Sequence, residues 1–159
     1  MVRIRYPEGP SSLSVRARKV FQLANQEAHR LWHHAVGVEH LLLGLAKEAD
    51  SPSALALRAV GFDLAWLRAE VELRCPRGLE ADAVSPSLPH TPELAALLGA
   101  VLATASGGSV TPVSLLRAIL GSSDTVAGQI LRSRRVGRWR LVLRLRTTVE
   151  PGDAPAPAV

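Results

Sequence analysis

The chain has 159 residues, 47% of them hydrophobic and only 4% aromatic, with a formal net charge of +5. That is enough apolar side chain for one compact domain or two small packed repeats, and a core of Leu, Val and Ala favours an all-α fold. The single cysteine, Cys75, excludes an internal disulfide and a cysteine zinc cage; no apolar run approaches the roughly 18 residues of a membrane span, and MVRIRYPEGP lacks the apolar stretch of a signal peptide, so a cytoplasmic protein is expected.

Residues 1–12 read as an N-terminal arm. From Ser14, Ala17, Val20, Phe21, Ala24, Ala28 and Leu31 recur at three- and four-residue spacing, which predicts an amphipathic helix over 14–31. A second, more buried helix is expected over 39–49, with Leu41, Leu42, Leu45, Ala46 and Ala49 on one face and Gly44 allowing close approach of a neighbour. Ser51 as cap, Pro52 at the first helical position and Gly61 past the end bracket a short third helix. Asp63 caps a fourth over 64–74, where Leu64, Leu67 and Val71 share a face, and CPRG stops it.

Residues 76–90, rich in Pro and small polar side chains, form a linker between a first unit, 13–75, and a second, 91–147. The same grammar then restarts. Thr91 and Pro92 open a helix to about Ala105, Thr111 and Pro112 another to Leu120, and Asp124 caps a third to about Arg134. Residues 138–147, with LVLRLR alternating apolar and basic, suit a strand as well as a helix. As a helix, they would place Leu141 and Leu145 on one face, with Trp139 and Val142 extending it only partly. Residues 148–159 are too poor in large apolar residues to pack and read as a disordered tail.

The two rounds align as an internal duplication, VGVEHLLLGLAKEADSPSALALRA against VTPVSLLRAILGSSDTVAGQILRS. The first round resembles the N-terminal repeat domain of Clp-type unfoldases, especially the ClpC and ClpA/ClpB group, through RARKVFQLANQEAHRL, GVEHLLLGL and the AVGFDL ending together. The likeness is dense over residues 13–73 and sparse over 88–136. It implies a pseudo-twofold bundle of two four-helix repeats, eight helices in all, that docks adaptors and substrates on a hexameric ATPase. No GxxxxGK[ST] phosphate loop occurs, so the chain reads as a free-standing docking module without cofactor or enzyme activity. Its expected partners are a Clp unfoldase, adaptors or client proteins in protein quality control or proteolysis.

Three candidate sites follow. His29, His33, His34, Glu39 and His40 bring ligand types together, but there is no HExxH order, and adjacent Glu39 and His40 point about 100° apart on a helix, which argues against metal. No nucleophile with a fixed spacing accompanies them, so no catalytic residue is assigned. Val38, Glu39 and His40, at the opening of the second helix, are the expected protein- or peptide-binding residues. The resemblance implies a Thr and a Glu there that receive phosphorylated arginine. Here Val38 lacks the hydroxyl, and Pro112 and Val113 stand at the matching places of the second repeat, which counts against phosphoarginine recognition. Finally, Arg132, Arg134, Arg135, Arg138, Arg140, Arg144 and Arg146 carry the whole charge excess, opposed locally only by Glu150 and Asp153. They form a solvated helix face or, as an alternative function, a surface for nucleic acid or an acidic partner.

Overall fold

Local punctuation sets the helix starts. In the computed structural model, described over residues 13–79, 85–105 and 108–150, eight helices follow one another: α1 (Val15–Arg30), α2 (Val38–Lys47), α3 (Pro52–Ala59), α4 (Leu64–Arg74), α5 (Pro92–Thr104), α6 (Pro112–Gly121), α7 (Val126–Ser133) and α8 (Arg135–Thr147). Ser14, Ser51, Asp63, Thr91 and Thr111 cap α1, α3, α4, α5 and α6, each side-chain oxygen accepting a first-turn backbone N–H at 2.9–3.3 Å. Gly61, with φ +88°, supplies the left-handed residue after α3.

Two sequence expectations change. α7 is capped by Thr125, whose hydroxyl accepts from the Gly128 N–H at 3.1 Å; Asp124 lies one residue too early and takes the Ser123 hydroxyl instead. Residues 138–147, open to strand or helix from their pattern, are helical: Leu141 and Leu145 are buried while Leu143 between them is 41% exposed, a split that a helix produces and that a strand, with all three on one face, does not. The expected arm over 1–12 and residues 151–159 of the expected tail lie outside the described residues. Residues 148–150, assigned to that tail, pack on the body, and Glu150 is buried.

The two repeats embrace rather than stand side by side. Leu13, before α1, pairs in parallel with Val110, before α6, and His90, before α5, pairs with Val36, before α2. Each repeat's entry strand therefore completes the other repeat's helix mouth, with the Ser14 N–H donating to Val110 C=O and the Thr91 N–H to Val36 C=O, both at 2.9 Å. α2 and α6 form the centre. α2 touches α1, α3, α4, α6 and α7, and α6 touches α1, α2, α3, α5, α7 and α8. Every residue of α2 except Glu39 and Lys47 is buried, as expected of a helix that is apolar nearly all round. Gly44 permits this depth: a Cβ there would lie 2.5 Å from the Val20 carbonyl oxygen and 2.9 Å from the Ala24 nitrogen of α1.

Candidate functional site at the helix mouths

The first mouth is built where the loop 31–37 turns into α2. Gly37 occupies the cap position in extended conformation and has no side chain to serve as a cap. Its own N–H instead donates to His40 Nδ1 at 2.8 Å. That bond fixes the protons of the pair: with Nδ1 accepting, neutral His40 carries its proton on Nε2, which donates to His33 Nδ1 at 2.8 Å, and His33 Nε2–H donates to the Pro76 carbonyl at 3.0 Å. The relay ties the loop after α1, the start of α2 and the end of α4. Burial, then the neighbouring His33 ring, drop His40 to about 3, so it stays neutral.

Glu39 folds its carboxylate back over Gly37, so closely that any Cβ at position 37 would collide with it. The carboxylate accepts its own backbone N–H, and burial followed by Glu93 of α5 outweighs that bond and the pull of His33 to raise Glu39 above the usual carboxylate range. Its Oε1 lies 3.3 Å from His40 Nδ1. Both atoms are acceptors, so the contact is not an ion pair. Burial, with Glu39 adding to it, also raises the Cys75 thiol, which keeps it protonated.

The expected binding residues thus have unequal access. Val38 is 2% and His40 1% exposed, while the Glu39 side chain retains 17%. His33, Glu39 and His40 do present ligand atoms within 4.8 Å of one another. Both accepting imidazole nitrogens are already bonded, however, so a metal ion would have to displace two hydrogen bonds of the relay. His29 and His34 do not belong to this group.

Sequence reading missed the anchor beneath the mouth. Glu27 is fully buried on α1 and accepts from Arg68 Nη2 at 2.6 Å and Nε at 3.0 Å, from Arg30 Nε at 2.9 Å and from Lys47 Nζ at 3.0 Å. Burial alone would raise its carboxyl, but these charge-assisted bonds win and hold it at about 2. Three helices, α1, α2 and α4, are pinned to one carboxylate. A groove of about 690 Å³ opens on the other side of α1, lined among others by Phe21, Gln22, Asn25, His29, Leu88 and His90. There the linker is held by Asn25, which donates to Pro86 C=O and accepts from the Leu88 N–H, both at 3.0 Å.

The arginines expected to form a basic tail lie on α7, α8 and the single residue between them. Arg134 donates to Gly61 C=O at 2.8 Å and sits 4.0 Å over the Trp66 ring, and Arg138 donates to Leu120 C=O at 3.2 Å. Arg132, Arg135, Arg140, Arg144 and Arg146 are exposed. None of the described helices is long and apolar enough to cross a membrane.

With this geometry in place, comparison with known proteins is direct. The family model described as "Clp repeat (R) N-terminal domain" matches residues 12–134. The chain is 43% identical over 77 residues, 48% of its length, to the negative regulator of genetic competence ClpC/MecB of Bacillus subtilis (strain 168). It is 35% identical over 121 residues, 74% of its length, to the chloroplastic chaperone protein ClpC1 of Oryza sativa subsp. japonica. It covers only 9% and 13% of these two relatives. The crystal structure of the N-terminal domain of the caseinolytic protease associated chaperone ClpD from Arabidopsis thaliana superposes with a TM-score of 0.66 at 19% identity, covering 84% of this chain and 94% of that one. An all-helical pseudo-twofold bundle, a family model over most of its length and that shared fold lead to one assignment: the chain belongs to the Clp repeat N-terminal domain family.

Proposed function

We propose that this chain is a non-enzymatic protein-docking module that binds adaptors, clients or a Clp unfoldase in trans and serves Clp-dependent protein quality control or proteolysis. The observation that carries the reading is the α2 mouth: one carboxylate, Glu39, held at the surface by its fold over Gly37, with Glu93 nearby and the His33–His40 relay behind it. Val38 and His40 act from beneath, as positioning residues. An acidic mouth on a rigid base suits a partner segment rich in donors or positive charge, and the Phe21–His90 groove offers such a segment a second, more apolar contact. Phosphoarginine is not the ligand this mouth favours, because Val38 is buried and has no hydroxyl to offer a phosphate.

The test is affinity capture from lysate with the wild type and Glu39→Ala side by side. The wild type should enrich a Clp unfoldase subunit, an adaptor or a protease substrate, and Glu39→Ala should lose it. Enrichment of none of these by the wild type sinks the reading; retention by Glu39→Ala moves the contact to the groove or α8.

One observation supports a second reading, an acidic protein surface bound by α8. Val136, Trp139 and Leu143, spaced to share a helix face, are 65%, 63% and 41% exposed. By helical spacing Arg135 and Arg146 flank that stripe on one side and Arg140 and Arg144 on the other. An apolar stripe with a single aromatic ring, Trp139, between arginines fits an acidic amphipathic partner better than a run of stacked bases. Retention by Glu39→Ala combined with loss by Trp139→Ala would favour it.

A further inference from the structure

The second mouth, at the start of α6, is assembled from different parts. Pro112 has no N–H, and the Ser114 N–H is taken by the Thr111 hydroxyl at 3.3 Å. Val113, which matches Glu39 in the repeat alignment, has no carboxylate of its own, and its N–H is the remaining donor pointing out of the first turn. That N–H donates at 3.0 Å to Oε2 of Glu150, a residue 37 positions downstream.

Glu150 is only 3% exposed, and its Oε1 is buried without a hydrogen-bond partner among the described residues. A carboxylate taken out of water to make one bond is weakly compensated, so its presence at the mouth reports the pull of the helix terminus on an oxyanion. The strap that brings it in is short. Besides Glu150, it is held by Arg117, which donates to the carbonyls of Leu145 at 2.7 Å and Thr148 at 2.9 Å, and by the Thr148 hydroxyl, which donates to the Arg144 carbonyl at 3.0 Å, while Val149 between Thr148 and Glu150 is 75% exposed. A cavity of about 370 Å³ opens beside the docked carboxylate, lined by Ser14, Arg16, Asp50, Thr111 and Pro112 as well as Glu150. Arg16 brings a cation to its rim, with half of its side chain exposed.

We propose that the N-terminus of α6 is an oxyanion-binding site, filled in cis by the Glu150 carboxylate and open to the side-chain carboxylate of an acidic partner segment when the strap over 148–150 lifts. The entering carboxylate takes over the Val113 N–H, and Arg16 at the cavity rim guides it. The exchange is one carboxylate for another at a single donor, so affinity in trans is low while Glu150 is in place and rises when it is removed.

The test is an NMR titration of the full chain, reading the Val113 backbone amide while sodium acetate, and separately inorganic phosphate, is added at constant ionic strength. In Glu150→Ala the Val113 amide should shift saturably with acetate, while the wild type shows at most a tenth of that shift at the same concentration. Equal shifts in both proteins, or none in the variant, would overturn the proposal, and a response to phosphate alone would overturn its assignment to carboxylates. Should Glu150→Ala fail to fold, Glu150→Gln is titrated in its place: its Val113 amide should shift with acetate by more than that of the wild type, and equal shifts would overturn the proposal.

Discussion

The two helix mouths occupy equivalent places in a duplicated fold, yet each reaches the same end by a different route. At α2 the carboxylate comes from within the helix, Glu39, and the cap position is a glycine whose N–H is taken by a buried histidine. At α6 the cap is a threonine in a reciprocal pair with Ser114, and the carboxylate arrives from beyond α8. His40 and Ser114 match in the alignment and do the same job, each accepting from the cap residue's N–H at 2.8 Å. A helix terminus needs a carboxylate or a hydroxyl near its free N–H groups, and the backbone does not specify which residue provides it. What differs is the surroundings: Glu93 stands near the first mouth and Arg16 by the second. Duplication has thus left one acidic mouth and one of mixed charge.

The largest effect should come from the anchor that the first repeat has and the second lacks. Matching the caps Ser14 and Thr91 places Thr104 opposite Glu27, and in place of a carboxylate it offers a hydroxyl that donates to the Ala100 and Val101 carbonyls of its own helix. Glu27→Ala leaves Arg30, Lys47 and Arg68 without their shared carboxylate and should cost about 3 kcal/mol or more, read as a drop in the urea midpoint. Thr104→Ala, a half-exposed change, should stay within about 0.5 kcal/mol. Equal losses would mean that the repeats are held alike. Next in size is Gly44→Ala. The equivalent residue of α6 is already Ala118, whereas a Cβ at 44 would press on the backbone of Val20 and Ala24. The shift it forces should cost about 1–3 kcal/mol by the same measurement, and a neutral result would show that α1 and α2 can part as α5 and α6 have done.

The helices were readable because caps, prolines and apolar periods are local signals, and the one misassigned cap, Asp124 for Thr125, is a displacement by a single residue between two competent side chains. The sites were far less readable. Glu27 meets partners 3, 20 and 41 residues away, and from the sequence its charge groups it with the polar face of α1, so no local signal marks it as a buried anchor. For His33 and His40 the sequence argues against metal but shows no positive role, because composition reports the ring nitrogens and not the Gly37 N–H and the Pro76 carbonyl that use them. Glu150 sat in a stretch of Pro and Ala that cannot build a core. It is buried by the demand of a helix end rather than by hydrophobicity, and no pattern in its neighbours records that demand.

The relay itself gives the smallest effect and the most specific one. His40→Ser transplants the Ser114 arrangement into the first mouth: the hydroxyl can still accept from Gly37, but His33 Nδ1 loses its donor and the ring's volume is left empty. At pH 7 this should cost about 1–2 kcal/mol. The pH dependence separates the relay from packing. The ordinary value for histidine is 6.5 and His40 is held at about 3, so between these limits the unfolded chain binds a proton that the folded chain does not. Wild-type stability must therefore fall as pH drops from 6.5 toward 3, at a rate of order 1 kcal/mol per pH unit from this group. Glu27, ordinarily 4.5 and here about 2, adds its own loss only as pH falls from 4.5 to 2. The window to read is pH 6.5 to 4.5, where His90, lowered by burial, contributes in the same direction and Glu39, raised by burial, in the opposite one, in the wild type and the variant alike. Urea midpoints across that window should fall less steeply for His40→Ser than for the wild type, so that the two proteins converge in stability as the solution is acidified. Parallel slopes would mean that His40 takes up its proton in the folded state, a state in which its Nδ1 could not accept from Gly37 and the chain of bonds from Gly37 to Pro76 would have to be drawn with the protons elsewhere.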